Sequence, residues 1–313
     1  MTPSEPPAVD PTADARDRPG RLAVGVIGTG RVGAVLGAAL SRAGHRVVAV
    51  SAVSAASRER AEVMLPGVDV APPQEVCARC DLVLLTVPDD ALPDLVQGLA
   101  TTGAFVRGQI VAHSSGRHGL DVLSPATREG ALPLALHPVM TFTGTSVDLN
   151  RLAGAVFGVT APAPLLPIAD ALVIEMGGEP VHVLEEQRVL YHAALAHAAN
   201  HLVTLVAESS ELLRASGVSD PARVLGPLLS AALDNALRSG DLALTGPVAR
   251  GDAGTVAAHL AAITATSPEA AATYRSLART TAARALDSGM LRADAAQSLL
   301  GVLTDAVDDG RAP

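Results

Sequence analysis

Several short segments of this sequence carry residues that can move a proton or hold a small polar substrate. His113-Ser114-Ser115-Gly116 and Leu136-His137-Pro138-Val139 each set an imidazole at the end of an apolar run. Further on, His192, His197, Asn200 and His201 interrupt an otherwise apolar stretch. Histidine titrates near neutrality, so His192 and His137 are candidates to give or take a proton. Asn is a poor mid-helix residue without a specific bond to make, which marks Asn200, slightly over two turns from His192, as a candidate to orient a substrate oxygen. Ser114 and Ser115 offer hydroxyls to a substrate. Arg250, in Thr245-Gly-Pro-Val-Ala-Arg-Gly-Asp252, is suited to a bidentate pair with a carboxylate. Each has a plainer alternative: a polar strand end, a histidine satisfied in the core, or a chain reversal in which Asp252 caps the next helix. No metal site is expected, because His197 and His201 share a helix face without the Glu of a zinc-binding His-Glu-x-x-His pattern. Cys77-x-x-Cys80 precedes a strand and has no second pair, so it reads as structural.

A further segment is built to bind an anion. Gly28-Thr29-Gly30-Arg31-Val32-Gly33 fits G-x-G-x-x-G, with an apolar strand before it, a helix after it and a second strand at βαβ distance. In that pattern the first glycine allows the tight turn, the second lets the backbone approach a pyrophosphate, and the third lets the helix pack close. The phosphates then meet the free N–H groups and positive end of the helix. The alternative is a strand–turn–helix with no ligand. An NAD site places Asp or Glu about 20 residues beyond the first glycines to hold the ribose 2′-hydroxyl. Arg46 to Arg58 has no acid and offers Ser51, Ser54, Ser57 and Arg58 instead. Hydroxyls and a guanidinium suit a 2′-phosphate, so NADP(H) is expected over NAD(H). Val87 and Pro88, where a third strand stops, are placed with the cofactor.

The elements that must position these residues follow from periodicity. Leu22–Ile27, Arg46–Val50, Asp81–Val87, Gln109–Ala112 and Leu132–Leu136 read as buried parallel strands separated by helical or mixed segments. Gly154–Thr160, Pro167–Met176 and Pro180–Leu184 read as a last βαβ-like unit. From Glu185 the strand-like runs stop, and helices are expected over Glu185–Ala215, Pro221–Ser239, from Asp252 to Ala265, and from Ser267 toward Gly289. The fold class is therefore α/β plus all-α. Residues 1–20 read as a disordered tail, 21–184 as a doubly wound nucleotide-binding domain, and 185–313 as an all-helical substrate and dimerisation domain.

Composition bounds the rest. The 313 residues are 49% hydrophobic but only 2% aromatic, so the core must be Ala, Val and Leu. A net charge of −9 without a Lys/Arg run argues against nucleic acid and anionic membrane as partners. No unbroken apolar run reaches the ~18–20 residues of a membrane span. The first twenty residues, rich in Pro, Asp and Glu, have no apolar signal-peptide region. With only two Cys, the expected location is the cytoplasm.

Taken together, Val26–Gly33, Thr86-Val-Pro-Asp89, His113–Gly116, Leu136–Val139, the His192–Asn200 helix and Thr245–Asp252 resemble the 6-phosphogluconate dehydrogenase-like superfamily. That superfamily includes ketopantoate reductase, pyrroline-5-carboxylate reductase and the 3-hydroxyacid dehydrogenases. The nearest likeness is to a group of Rossmann-like oxidoreductases with a C-terminal domain of unknown function. The resemblance implies NADP-dependent hydride transfer to a small carbonyl or imine, and a homodimer intertwined through the helical domain. One departure matters. Many of these dehydrogenases place a proton-donating Lys four residues before the helix Asn, where this chain has Ala196. The acid role then passes to His192, His137 or a water, or is absent. The leading expectation is a reductase of a small 2-oxo acid such as ketopantoate, with His192 as acid, Asn200 orienting and Arg250 on the carboxylate. The alternatives are an imine reductase and a non-catalytic NADP(H) sensor.

Overall fold

The computed structural model describes residues 20–304; the expected N-terminal tail, up to residue 19, lies outside the described residues. Eight strands form one sheet: β1 (Ala23–Ile27), β2 (Arg46–Ser51), β3 (Asp69–Val70), β4 (Leu82–Leu85), β5 (Ile110–His113), β6 (Leu132–Pro138), β7 (Val156–Thr160) and β8 (Glu179–His182). Their order is β3-β2-β1-β4-β5-β6-β7-β8. The first six run parallel; β7 pairs antiparallel with β6, and β8 parallel with β7. Helices α1 (Arg31–Arg42), α2 (Ala55–Met64), α3 (Pro73–Ala78), α4 (Leu92–Thr101), α5 (Ser124–Arg128), α6 (Val147–Leu152) and α7 (Leu166–Glu175) connect them.

Alternation along the strands builds two cores. Val24 and Val26 of β1, Leu82 and Leu84 of β4, and Ile110 and Ala112 of β5 pack with α1 and α7 on one face. The intervening Ile27, Val83, Leu85 and Val111 pack with α3 and α4 on the other. A strand buried on both faces reads as a continuous apolar run, which is why these strands were legible without a turn signal.

The chain then becomes helical: α8 (Arg188–Ala215), α9 (Pro221–Ser239), α10 (Gly246–Arg250), α11 (Ala253–Thr266), α12 (Pro268–Asp287) and α13 (Ala293–Leu303). The compact units divide inside α8, between His197 and Ala198. The last strand ends at His182, but the start of α8 belongs to the sheet unit, for a reason given below. In the second unit α10–α13 enclose a core of Ala249, Val256, Leu260, Leu291, Leu299 and Leu303 against Ala278, Ala282 and Ala285, spaced i, i+4, i+7 on α12. Ser267 and Asp252 cap their helices as expected, accepting from the Ala270 and Thr255 N–H groups. Thr245–Asp252 is not an irregular loop but contains α10, started at Gly246-Pro247 and stopped by left-handed Gly251.

Glu185–Ala215 is long and apolar enough to cross a membrane by length and composition, at a mean hydropathy of 1.2. The sequence expectation turned on unbroken runs; here the histidines and Asn200 are diluted among Ala, Leu and Val.

Candidate active site

The glycine turn behaves as its spacing predicts. Gly28 has φ +98°, and its N–H and that of Thr29 donate to the Ser51 carbonyl. Gly30 N–H donates back to Gly28 O at 2.8 Å, and α1 begins at Arg31 with no side-chain cap, leaving its first N–H groups for a ligand. A Cβ on Gly33 would lie 2.2 Å from Thr86 Oγ1 and 2.3 Å from Gly28 O, so only glycine fits there. A Cβ on Gly30 would meet nothing within 4 Å. The third glycine thus serves packing, and the second faces open space. The Thr86 hydroxyl pins the turn by donating to Gly28 O at 2.6 Å.

The neighbouring residues divide into scaffold and surface. Thr29 is fully buried, and its hydroxyl donates to Ser57 O, drawing the first turn of α2 to the glycine turn. Val32 packs partly into one core, and Val87, beside Gly28, into the other. Pro88 is exposed, and its carbonyl starts α4. Ser51 is buried, while Ser54 caps α2 by accepting from Ser57 N–H. Arg58 is exposed on the first turn of α2, with Nε 3.4 Å from Ala52 O. Arg31 is exposed too, with its stem against Gly144 beside that of Arg60. Buried Asp148 holds that Gly144 backbone by accepting from the Thr143 and Gly144 N–H groups, both at 2.7 Å. The cationic side chains therefore lie on the surface beside a turn whose interior is neutral.

A second cluster forms at the carboxyl ends of β5 and β6, beside antiparallel β7. His137 Nδ1 lies 2.9 Å from the Tyr191 hydroxyl. The His192 ring stands edge-on to His137, centroids 5.8 Å apart. The Gly116 backbone fills the space against both: a Cβ there would come within 2.8 Å of His137 Nε2 and 2.5 Å of His192. Burial, with His192 and Arg188 nearby, pushes the His137 pKa down to about 4. The ring is therefore neutral at pH 7 and can accept as well as donate.

Arg188 organises this end of the sheet. It is 1% exposed, and its guanidinium donates to Thr160 Oγ1, Ser115 O, Ala135 O and Gly158 O at 2.8–3.3 Å. Those oxygens belong to β6, β7 and the loop after β5, so a residue of the first helical turn ties two strands and a loop together. This is why the start of α8 belongs to the sheet unit. Its charge also lies 5.9 Å from the Tyr191 ring centroid. Glu185 accepts from the Leu120 and Asp121 N–H groups, fixing the loop that carries Ser114 and Ser115.

The fold brings His137 and His192, two of the candidates from the sequence, together. Ser114 is half-buried, with its N–H on Leu85 O. Ser115 is spent on the loop: its hydroxyl accepts from His118 N–H, its carbonyl from Arg188, and its N–H donates to His113 Nδ1. Asn200 and Arg250 are exposed residues of the second unit, on α8 and at the end of α10. Tyr191 and Arg188 escaped the sequence reading. The available signal was a tyrosine, one of two in the chain, directly before His192, and an arginine opening an apolar helix. Cys77 and Cys80 are free thiols, pushed up to about 12 by burial, and so inert. Among the described residues no group of three His, Cys, Asp or Glu could hold a metal ion.

Residues 8–138 match the model of a Rossmann-like domain, and residues 155–281 that of a domain of unknown function, DUF2520. The two matches lie one after the other along the chain, the Rossmann-like one first and the DUF2520 one second. No curated protein matches the sequence. Among solved structures, the chain is similar to a protein from Bacteroides fragilis provisionally named an NADP oxidoreductase: 22% identity, TM-score 0.70, over 84% of this chain and 98% of that one. An imine reductase from Pseudomonas sp. aligns at 19% identity and TM-score 0.63, over 91% and 100% of the two chains. An imine reductase from Myxococcus stipitatus in complex with NADP+ aligns at 17% and 0.60, over 85% and 94%. At these identities the likeness is one of fold.

Proposed function

We propose that this chain is an NADP(H)-dependent oxidoreductase that reduces a small C=O or C=N compound. The observation that carries it is the His137–Tyr191 pair at 2.9 Å, at the strand ends of the sheet whose first turn is a glycine phosphate cradle. In open α/β sheets, ligands bind at these carboxyl ends. The residues present fit the cofactor. The open space at Gly30 and the uncapped N-terminus of α1 suit a pyrophosphate, and Ser54, Arg58 and Arg31 suit a 2′-phosphate. Two of the similar structures carry NADP in their names, which supports this choice. When bound, the nicotinamide supplies the hydride.

The chain's own residues supply the proton. With Nδ1–H of His137 donating to the phenol oxygen, the Tyr191 hydroxyl hydrogen is free for the substrate oxygen or nitrogen. The phenolate left behind is held by that imidazole and by the Arg188 charge over the ring. His137, neutral at working pH, then relays a proton to Tyr191: Nδ1 gives its hydrogen to the phenolate as Nε2 takes one from solvent water. The pair takes the place of the absent helix lysine; the chain contains no lysine at all. His192, edge-on to His137, is the alternative donor.

Four N–H donors of Arg188 are spent on protein oxygens, so this guanidinium is not available to a substrate carboxylate. That favours an uncharged or iminium substrate over a 2-oxo acid. A homodimer is the expected assembly: Leu228, Leu233 and Leu237 of α9 are 62%, 55% and 79% exposed, an apolar surface suited to a second copy.

The test is a turnover screen with NADPH and NADH over cyclic imines and 2-oxo acids, for the parent and for Tyr191→Phe, His137→Gln and His192→Ala. The proposal expects NADPH oxidation with at least one class and a loss of ~10²–10⁴ in kcat for Tyr191→Phe. NADPH binding without turnover on any substrate would replace it with the sensor reading. Full activity of Tyr191→Phe with loss in His192→Ala would move the acid to His192.

A further inference from the structure

The second unit contains a cavity of about 360 Å³, within the ~300–1,000 Å³ typical of small-ligand sites. Its lining comes from residues between Leu205 and Thr281, so it is formed by that unit alone. Most of the wall is apolar, including Leu212 and Ile263, and no Arg is among the lining residues. One carboxylate, Glu208, lies in it and is held by the Thr273 hydroxyl, which donates to Oε1 at 3.0 Å. A carboxylate accepts about four hydrogen bonds, and this threonine supplies one. Tyr274 and His259 line it as well, with the tyrosine hydroxyl 3.0 Å from His259 Nδ1.

An apolar pocket with one anchored carboxylate and an aromatic face selects a definite chemistry. A carboxylate or phosphate ligand would meet Glu208 with like charge, and a purely apolar ligand would leave its remaining lone pairs unmet. An ammonium on a compact hydrocarbon body satisfies both: its N–H groups complete the carboxylate, its charge lies against the tyrosine ring, and its carbons fill the apolar wall. We propose that this cavity is a binding site for a small apolar amine in its ammonium form, with Glu208 as counter-ion, Thr273 as its positioning residue and Tyr274 as the aromatic wall. The proposal stands on the second unit alone and does not rest on the reductase reading.

The experiment is a ligand-observed NMR titration of the full chain with cyclohexylamine, cyclohexanol and cyclohexanecarboxylate at constant ionic strength. Cyclohexylamine is expected to bind at least tenfold more tightly than cyclohexanol, with no binding of the carboxylate. Glu208→Gln, which keeps the size and an acceptor for Thr273, should reduce the preference for the amine to near unity with an unchanged thermal midpoint. Tyr274→Leu should weaken the amine about fivefold and the alcohol less. Equal affinity of amine and alcohol, an unchanged preference in Glu208→Gln, or no binding of any probe overturns the proposal. Binding of none by an oligomer, with binding restored on dilution to monomer, assigns the cavity to a second copy of the chain and overturns it as well.

Discussion

Acidification should withdraw stability from the sheet unit through His113, and the amount follows from its surroundings. This ring is fully buried. Its Nδ1 accepts from the Ser115 N–H at 3.2 Å, so the proton sits on Nε2 and is donated to Gly119 O at 2.7 Å. A second proton on Nδ1 would break the Ser115 bond inside a dry core, and burial pushes the pKa down to about 4. The unfolded chain takes up that proton near pH 6.5. The folded pKa is therefore the lower one: the contribution is intact above 6.5, erodes as pH falls, and the loss is complete near pH 4. The gap, at about 1.4 kcal/mol per pH unit, amounts to about 3 kcal/mol. His137, which is less deeply buried, acts in the same direction. The assay is urea unfolding followed by circular dichroism at pH 7.5, 6.5, 5.5 and 4.5, for the parent and His113→Asn. The asparagine amide oxygen takes over from Nδ1 but does not titrate. The variant should be less stable at pH 7.5, through the lost Gly119 bond, yet its slope below pH 6.5 should be shallower by about 1 kcal/mol per pH unit. Carboxylate titrations are common to both proteins and cancel. Parallel slopes would refute the neutral buried ring.

Three further outcomes are expected. Gly33→Ala forces its methyl against Thr86 Oγ1 and Gly28 O; it should cost about 1–3 kcal/mol and weaken NADPH binding at least tenfold, both read by melting with and without nucleotide. Arg188→Met leaves the Ser115, Ala135 and Gly158 carbonyls without their donor and should cost about 3–5 kcal/mol in urea unfolding; a change under 1 kcal/mol would mean the strand ends do not depend on the guanidinium. Arg58→Ala should weaken NADPH roughly tenfold and NADH hardly at all, and an equal loss for both would remove Arg58 from the 2′-phosphate.

Much of the fold was legible because its signals are local. The buried strands announced themselves as apolar runs, the glycine turn by spacing and context, and Asp252 and Ser267 as caps by residue type. Ends were less legible: α10 was hidden because Gly-Pro and Gly punctuate both a turn and a short helix. Gly33 illustrates the strongest kind of local evidence, since a side chain there would occupy the space of Thr86 Oγ1 and Gly28 O.

The amino-acid sequence by itself determined most of the element types, the glycine turn and the helix caps, because each depends on neighbours within a turn or two of chain. Only the tertiary structure decided which of those groups meet. Ser115 was diverted from substrate to scaffold by His113, His118 and Arg188. His137 acquired Tyr191 as partner from 54 residues away. Both follow from the order of strands in the sheet, which sets the carboxyl ends of β5 and β6 beside antiparallel β7, and from a buried guanidinium that no local pattern could assign to three separate carbonyls.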